Sequence, residues 1–291
     1  MKGWLFDLYT QSPGRMIVWL KTFDKGTVKL VDRWKPSFYV AGKQGDLRLL
    51  SSRLRNENRF EEWYERVELS TTKKPVLRIF YDGKRDCENV KSLIIRLGGD
   101  DLRYRLYNLD IPPDQLYLYE KDLFPLAHVE AHESDLGVSW KLLDSSYAVD
   151  YHIPRFKTMQ LEVFTKSNSS FSCAKFSDPL EKIVLQGEKD GFIIRSQSEE
   201  DKLLDLMDLV QKEDPDIIIT KQGDSFQFPY LGWRAKTNNL THRFFLGREQ
   251  AQRVPEKHEG QSYVSYGHVF YRASPIRLMG RFHLDQENAF V

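Results

Sequence analysis

Two stretches set polar side chains where strands should end. PDIIITKQGDSFQFPYL (215–231) runs from a short apolar segment through a glycine-containing turn into a helix start, and it presents Gln222, Asp224 and Gln227 around that turn. FKTMQLEVFT (156–165) alternates like a strand and carries Gln160 and Glu162 two residues apart, hence on one face. Oxygen-bearing side chains gathered at strand ends suit divalent cations, which need anionic ligands to offset their charge. Glutamine serves this chemistry poorly: its amide oxygen carries no formal charge, and its side chain is one methylene longer than that of Asp. Glu162 is an acid, and it reads either as a solvated side chain or as a weak cation ligand. Asp224 has a local alternative, capping a helix that starts near Ser225. Asp285 ends a strand and is expected to cap the next element.

The elements that position these residues are readable from periodicity. PRFKTMQLEVF (154–164), KIVLQG (182–187) and GFIIRS (191–196) read as strands. Residues 198–216 predict a helix capped by Ser198, with Glu199, Glu200 and Asp201 in its first turn and an apolar stripe of Leu203, Leu206, Met207 and Val210. Pro215 stops it, and DIIIT (216–220) reads as a short buried strand. A helix is expected from GDS through about Lys236, then a hairpin around Tyr266–Gly267 within 262–272, and a last strand over 276–285. Strand, helix, strand, helix in that order imply a layered α/β unit.

Upstream the pattern is β-rich. Residues 3–9, 16–21 and 27–33 alternate apolar and polar across the turns SPGR and DKGT, as in an antiparallel meander. A short strand at 35–42, a polar helix at 46–57, a strand or helix-to-strand segment at 61–70, strands at 75–82 and 103–110, and helices at 87–99 and 111–124 complete an α+β domain over 1–126. The polar, aperiodic stretch 127–155 reads as a linker with some strand character, leaving 156–291 as the second domain.

Composition bounds the rest. A chain of 291 residues is natural for two domains. A formal net charge of +1 excludes a protein that grips phosphate by bulk charge, so nucleic-acid binding must come from local patches: Arg53/Arg55, Lys73/Lys74, Arg103/Arg105 and Arg243 to Arg253. Each of these is an ordinary solvated face unless several line one channel, where they would support salt-sensitive DNA binding. The two cysteines, Cys87 and Cys173, lie far apart without a CxxC or a Cys/His cluster, which argues against a disulfide scaffold or a zinc site and for reduced thiols. No apolar run spans a bilayer, so a cytoplasmic protein without membrane contact is expected.

EDPDIIITKQGDSFQFPYL (213–231) resembles the second exonuclease motif of archaeal-type family B DNA polymerases, and FKTMQLEVFT resembles the first. NLDIPPDQLYLYEKDLFPLA (108–127) resembles the helix that closes their N-terminal domain, and GRFHLD (280–285) resembles the strand before the third motif. The resemblance implies an N-terminal domain followed by a ribonuclease-H-like 3′–5′ exonuclease fold, a mixed sheet with flanking helices. The family's metal-binding Asp and Glu of the first motif fall on Gln160 and Glu162. The second-motif Asn and Asp fall on Gln222 and Gln227, and the neighbouring Tyr on Lys221. The third motif is expected beyond Val291, which implies a piece of a longer polymerase, C-terminally incomplete in this fold, or a naturally short protein. One retained acid implies that metal binding is lost or very weak. Phe226 corresponds to an aromatic near the unpaired 3′ end; stacking on a base and packing in a core are equally open for it.

The resemblance also points to a template-base pocket. In archaeal members a Pro-Tyr strand and an Ile-Pro turn read template uracil; here these are Pro36–Ser37–Phe38–Tyr39 and Ile111–Pro112–Pro113. Ser37 stands in place of the tyrosine, and Leu116 in place of an arginine. These changes weaken uracil sensing, and simple packing of the domain competes with it.

The leading expectation is a nuclease-inactive, DNA-binding and structural portion of a family B polymerase, acting in replication or repair. Its expected partners are single-stranded or primer-template DNA, the palm, fingers and thumb of the same or a partner chain, and a sliding clamp. No cofactor is expected in this reading. The alternatives are an active 3′–5′ exonuclease using Mg or Mn, and a protein-interaction module built on the cleft.

Overall fold

A computed structural model describes residues 1–11, 14–56, 61–67, 73–98, 103–150, 152–166, 174–250, 254 and 260–289, with backbone alone for 56, 61–67 and 289. Ser12 and Pro13 of the first turn, residues 57, 68–70 and 99 at element ends, Cys173, and Arg253 lie outside the described residues. Two compact units divide at Ile153 and Pro154.

The first unit holds two sheets. Strands β1 (Lys2–Gln11), β2 (Arg15–Lys21) and β3 (Thr27–Arg33) form the meander that their alternation predicts. Their sheet continues through β8 (His128–Ser134) and β9 (Gly137–Leu142), in the order β3-β2-β1-β8-β9. The expected linker over 127–155 is thereby corrected: its first half is a hairpin paired to β1, with Lys2 opposite Glu130 and Trp4 opposite His128. Its polar residues hid the strands because β8 and β9 each bury only part of one face. The sheet curls until its edges meet: the Asp32 carboxylate of β3 accepts from the Val138 N–H of β9 at 2.9 Å. Asp32 also accepts from the Tyr117 hydroxyl at 2.7 Å, and burial followed by that hydrogen bond pushes the phenol far above its ordinary value. Gly137, at φ +132°, permits the approach, since a Cβ there would lie 2.3 Å from Asp32 Oδ1.

The second sheet, in the order β5-β6-β4-β7, comprises β4 (Ser37–Gly42), β5 (Glu61–Val67), β6 (Lys73–Phe80) and β7 (Tyr104–Tyr107). With α1 (Gln44–Asn56) and α2 (Gly83–Gly98) interposed, the chain runs β-α-β-β-α-β, the split βαβ arrangement. Phe38 and Val40 of β4 and Leu77 and Ile79 of β6 bury against Leu47, Leu50, Val90 and Ile94 of the two helices. Helix α3 (Pro113–Glu120) opens on a proline and sends Leu116, Tyr117 and Leu118 into the core beneath the first sheet.

The second unit is one mixed five-stranded sheet, β12-β11-β10-β13-β16, with helices packed on it. Its strands are β10 (Thr158–Thr165), β11 (Leu180–Gly187), β12 (Gly191–Ile194), β13 (Ile217–Thr220) and β16 (Phe282–Asp285). Counted within the unit the order is 3-2-1-4-5. The first three strands are antiparallel, and the last two run parallel to the central β10, the ribonuclease-H-like arrangement. Helix α4 (Glu199–Glu213) is capped by Ser198, whose hydroxyl accepts from Asp201 N–H. It packs with α5 (Phe228–Thr237) over Met159, Leu161, Ile183, Leu185 and Ile218. The hairpin β14 (Gly260–Ser265) and β15 (His268–Ala273) turns at Tyr266–Gly267 as its sequence predicts, and α6 (Gln286–Ala289) follows β16. The expected strand over 276–285 is shorter than predicted. Residues before 282 turn instead, because the fully buried Arg281 is held by Leu246 O, Pro215 O and Asp214. Burial, then the neighbouring Arg248, pulls its pKa down to about 10.

Candidate nucleic-acid cleft

Gln160 and Glu162 sit two apart on the central strand β10, exposed on the sheet face opposite Met159 and Leu161, which are buried under α4 and α5. Strand periodicity alone places them so. Gln160 lies opposite Ile219 of β13 and Gln186 of β11, and Glu162 lies opposite Val184.

Beyond β13 the chain does not enter an α-helix directly. Gln222 adopts φ +61°, and Gly223–Gln227 form a π-helical turn in which the N–H groups of both Phe226 and Gln227 reach Gln222 O. This turn buries Gln227. The carboxamide spans two elements: its oxygen accepts from Val163 N–H of β10 at 3.2 Å, and its NH₂ donates to Lys221 O at 2.5 Å. Strand β13 pairs with β10 only through Gln160, so Val163 N–H lies past that ladder. Gln227 thus ties its turn to the strand that carries Glu162. Gln222 turns away, its N–H donating to Asp285 and its side-chain NH₂ lying 3.4 Å from Glu287.

Asp224 of the turn and Asp285 at the end of β16 are both taken up by hydrogen-bond donors. Asp224 is corrected from helix cap to interior acceptor. Its Oδ1 accepts from Ile276 N–H at 2.7 Å and lies 3.1 Å from His283 Nδ1, while its Oδ2 accepts from Asn288 at 2.6 Å. Burial raises its pKa, but these hydrogen bonds outweigh burial and hold the carboxyl below its ordinary value. Asp285 does the capping: it accepts from Gln222 N–H and Asp224 N–H at 2.9 Å each, and from Glu287 N–H at 3.1 Å. Between them, His283 Nε2 lies 2.7 Å from Thr220 Oγ1. The Thr220–His283–Asp224 chain is almost wholly buried, so it braces the turn and offers no nucleophile to solvent. No local pattern marks His283; only the parallel register of β13 and β16 brings it to Thr220.

Phe226 is half-buried, stacked on Tyr230 at 5.3 Å between centroids and tilted against Phe176 at 5.7 Å. Trp233, still 38% exposed, borders the same cluster, which leaves aromatic surface at the mouth of the turn.

The donor set does not fit a pair of divalent cations. At the positions considered, Glu162 is the one carboxylate, Gln227 has spent its amide on backbone, and Asp224 and Asp285 are saturated by N–H donors. Among the described residues no three His, Cys, Asp or Glu side chains converge as ligands. A single carboxylate offers too little negative charge to offset two divalent cations.

In the first unit, Pro36 and Ser37 are buried, Ile111 is half-buried and Pro112 is exposed at the start of α3. The Ser37 hydroxyl accepts from Arg78 at 2.9 Å, and Glu120 of α3 binds Arg78 and Trp34. Ser37 therefore joins β4 to α3 through an Arg78–Glu120 ion pair. Leu116 lies in the core. Of the basic patch from Arg243 onward, Arg248 is not a solvated charge: it is buried on Asp214 and Asp216 at 2.8 and 2.9 Å.

Residues 146–290 match the family model described as DNA polymerase family B, exonuclease domain. Over 258 residues the chain is 26% identical to a DNA polymerase of Archaeoglobus fulgidus, covering 82% of this chain and 31% of that protein. Over 181 residues it is 25% identical to a DNA polymerase of Thermococcus aggregans, covering 62% of this chain and 8% of that protein. The family B DNA polymerase structure from Pyrobaculum calidifontis superposes with a TM-score of 0.72 at 21% identity, over 98% of this chain and 36% of that one. The chain thus spans at most about a third of the curated relatives it matches.

Proposed function

This chain belongs to DNA polymerase family B by its exonuclease domain, and on that premise we propose that the domain binds DNA without cutting it. The observation that carries the reading is the Gln227 carboxamide. It accepts from Val163 N–H and donates to Lys221 O, and a carboxylate cannot make the second bond. A residue at the ligand position has become a strut between the turn and β10. With Gln160 also neutral, Glu162 alone is left to offset two cations where phosphoryl transfer would need them.

What the fold retains suits a bound strand. The aromatic surface of Phe226 and Trp233 offers stacking that needs no metal. In this reading the domain guides single-stranded or template DNA and supports the polymerase core of the same or a partner chain, with a sliding clamp as a further partner, in replication or repair. Neither Mg nor Mn has a role in it.

Single-turnover degradation of a labelled single strand tests this, with excess protein and Mg or Mn. The expected result is no cleavage above a protein-free control. Metal-dependent cleavage that disappears in Glu162→Gln would overturn the reading in favour of a working exonuclease. Absence of DNA binding at low salt would also overturn it, in favour of a protein-interaction module.

A further inference from the structure

Trp4 of β1 is 2% exposed, yet its indole N–H serves no strand: it donates to His152 O at 2.8 Å. His152 lies in the segment that follows β9, and its imidazole also stacks on the indole, 5.5 Å between centroids and 29° between planes. The indole is held in place by His128 of β8, stacked at 4.8 Å, and by Phe23, tilted at 4.4 Å. The segment's other end is fixed where β9 stops. Leu143 N–H donates to His128 O at 2.9 Å, and the Asp144 carboxylate accepts from His128 N–H at 2.6 Å. Between these ends the chain turns, with Ala148 N–H donating to Ser145 O. Residues 145–150 are all exposed there, Tyr147 to 94% and Val149 to 92%. Side chains so exposed gain almost nothing from burial, so the contacts at the two ends hold the described part of this segment.

We propose that Trp4 is a latch on a strap: closed, it pins 143–152 to the first unit, and open, it releases them from Ser145 onward. The strap matters because it leads to β10. There the chain is anchored again, Lys157 N–H donating to Asp216 at 2.9 Å and Asp216 N–H to Lys157 O at 2.8 Å. With the latch closed, the span from anchor to anchor is 153–156. Pro154 fixes its own φ and keeps Ile153 extended, so that span is stiff. With the latch open, the span becomes 145–156, and a longer tether restrains less strongly what it joins. Opening strips the indole N–H of His152 O, and a buried indole N–H needs an acceptor, so the closed state is favoured. The latch contacts lie wholly in the first unit and are independent of the Gln227 turn.

Limited proteolysis of the full chain by chymotrypsin tests the proposal, with first cuts mapped by mass spectrometry and rates normalised to the unfolded chain. Cleavage after Tyr151 requires His152 to leave Trp4 for the protease, so its rate follows the population of the open strap when reclosing is fast. Trp4→Phe keeps a ring but loses the donor, and is expected to speed this cut about two- to tenfold. His152→Ala keeps the carbonyl and the core but loses the stack, and is expected to speed it about twofold or more. Trp19→Phe removes another buried indole of the same sheet, one whose N–H donates to the Tyr9 hydroxyl, and is expected to leave the cut unchanged. The proposal fails if either latch variant is cut after Tyr151 at the parent rate. It also fails if Trp19→Phe speeds the cut as much as they do, since the effect would then be general loss of stability. Should Trp4→Phe not fold, His152→Ala against Trp19→Phe decides.

Discussion

At the residue scale, Gln227 joins the turn after β13 to strand β10. It is buried, and each end of its amide meets a backbone group. Removing it in Gln227→Ala leaves both groups without this partner and is expected to destabilise the second unit by about 1–3 kcal/mol, read as a lower urea midpoint. Gln227→Asp is the sharper variant. A shorter, acceptor-only side chain abandons Lys221 O and adds charge to a buried position. It is expected to lower the melting temperature, and Mg or Mn is expected to give no recovery. A metal-dependent rise in its melting temperature would show that the turn still forms a cation site. Gln227 and Gln160 stand out in the sequence as glutamines on a strand–turn–helix pattern. The partners of Gln227 do not, because Val163 N–H and Lys221 O are found only by folding.

At the element scale, the π-helical turn depends on close packing against β16. A Cβ on Gly223 would stand 1.9 Å from Thr220 Oγ1 and 2.5 Å from His283 Nε2. Gly223→Ala is therefore expected to cost about 1–3 kcal/mol or more, measured by chemical denaturation, whatever its effect on helix propensity. Helix α4 gives the contrasting case, an element legible from its own residues. Ser198→Ala removes the acceptor for Asp201 N–H and is expected to cost about 1 kcal/mol by the same measurement. The hairpin β8–β9 was not legible as part of a sheet, because its partner β1 is remote in sequence and its outward residues are polar.

At the scale of the whole molecule, the depressed carboxyls set a pH response. Asp214, Asp224 and Glu199 all lie in the second unit, and in each case hydrogen bonds and cationic or backbone donors outweigh burial and lower the pKa. Below the ordinary carboxyl range the unfolded chain takes up protons that the folded unit still refuses. Stability contributed by these groups is present above about pH 4 and is lost as pH falls through their folded values. Hydrogen exchange followed from pH 7 downward is expected to show the second unit losing protection in acid. Asp224→Asn, which cannot titrate, is expected to flatten part of that fall. Protection unchanged down to the lowest pH would contradict the assigned shifts.

The sequence by itself determined the periodic elements, the Ser198 cap, the split into a β-rich first part and an α/β second part, and the poverty of acids at Gln160, Gln222 and Gln227. These follow from local propensity and from residue identity, which folding does not change. The tertiary structure decided where each polar group is satisfied. It moved Asp224 from cap to interior acceptor, gave the cap to Asp285, and drew 127–142 into the first sheet. It also brought Trp4 to His152. Hydrogen-bond partners depend on strand register across long stretches of chain, and register is set by the packing of the whole unit.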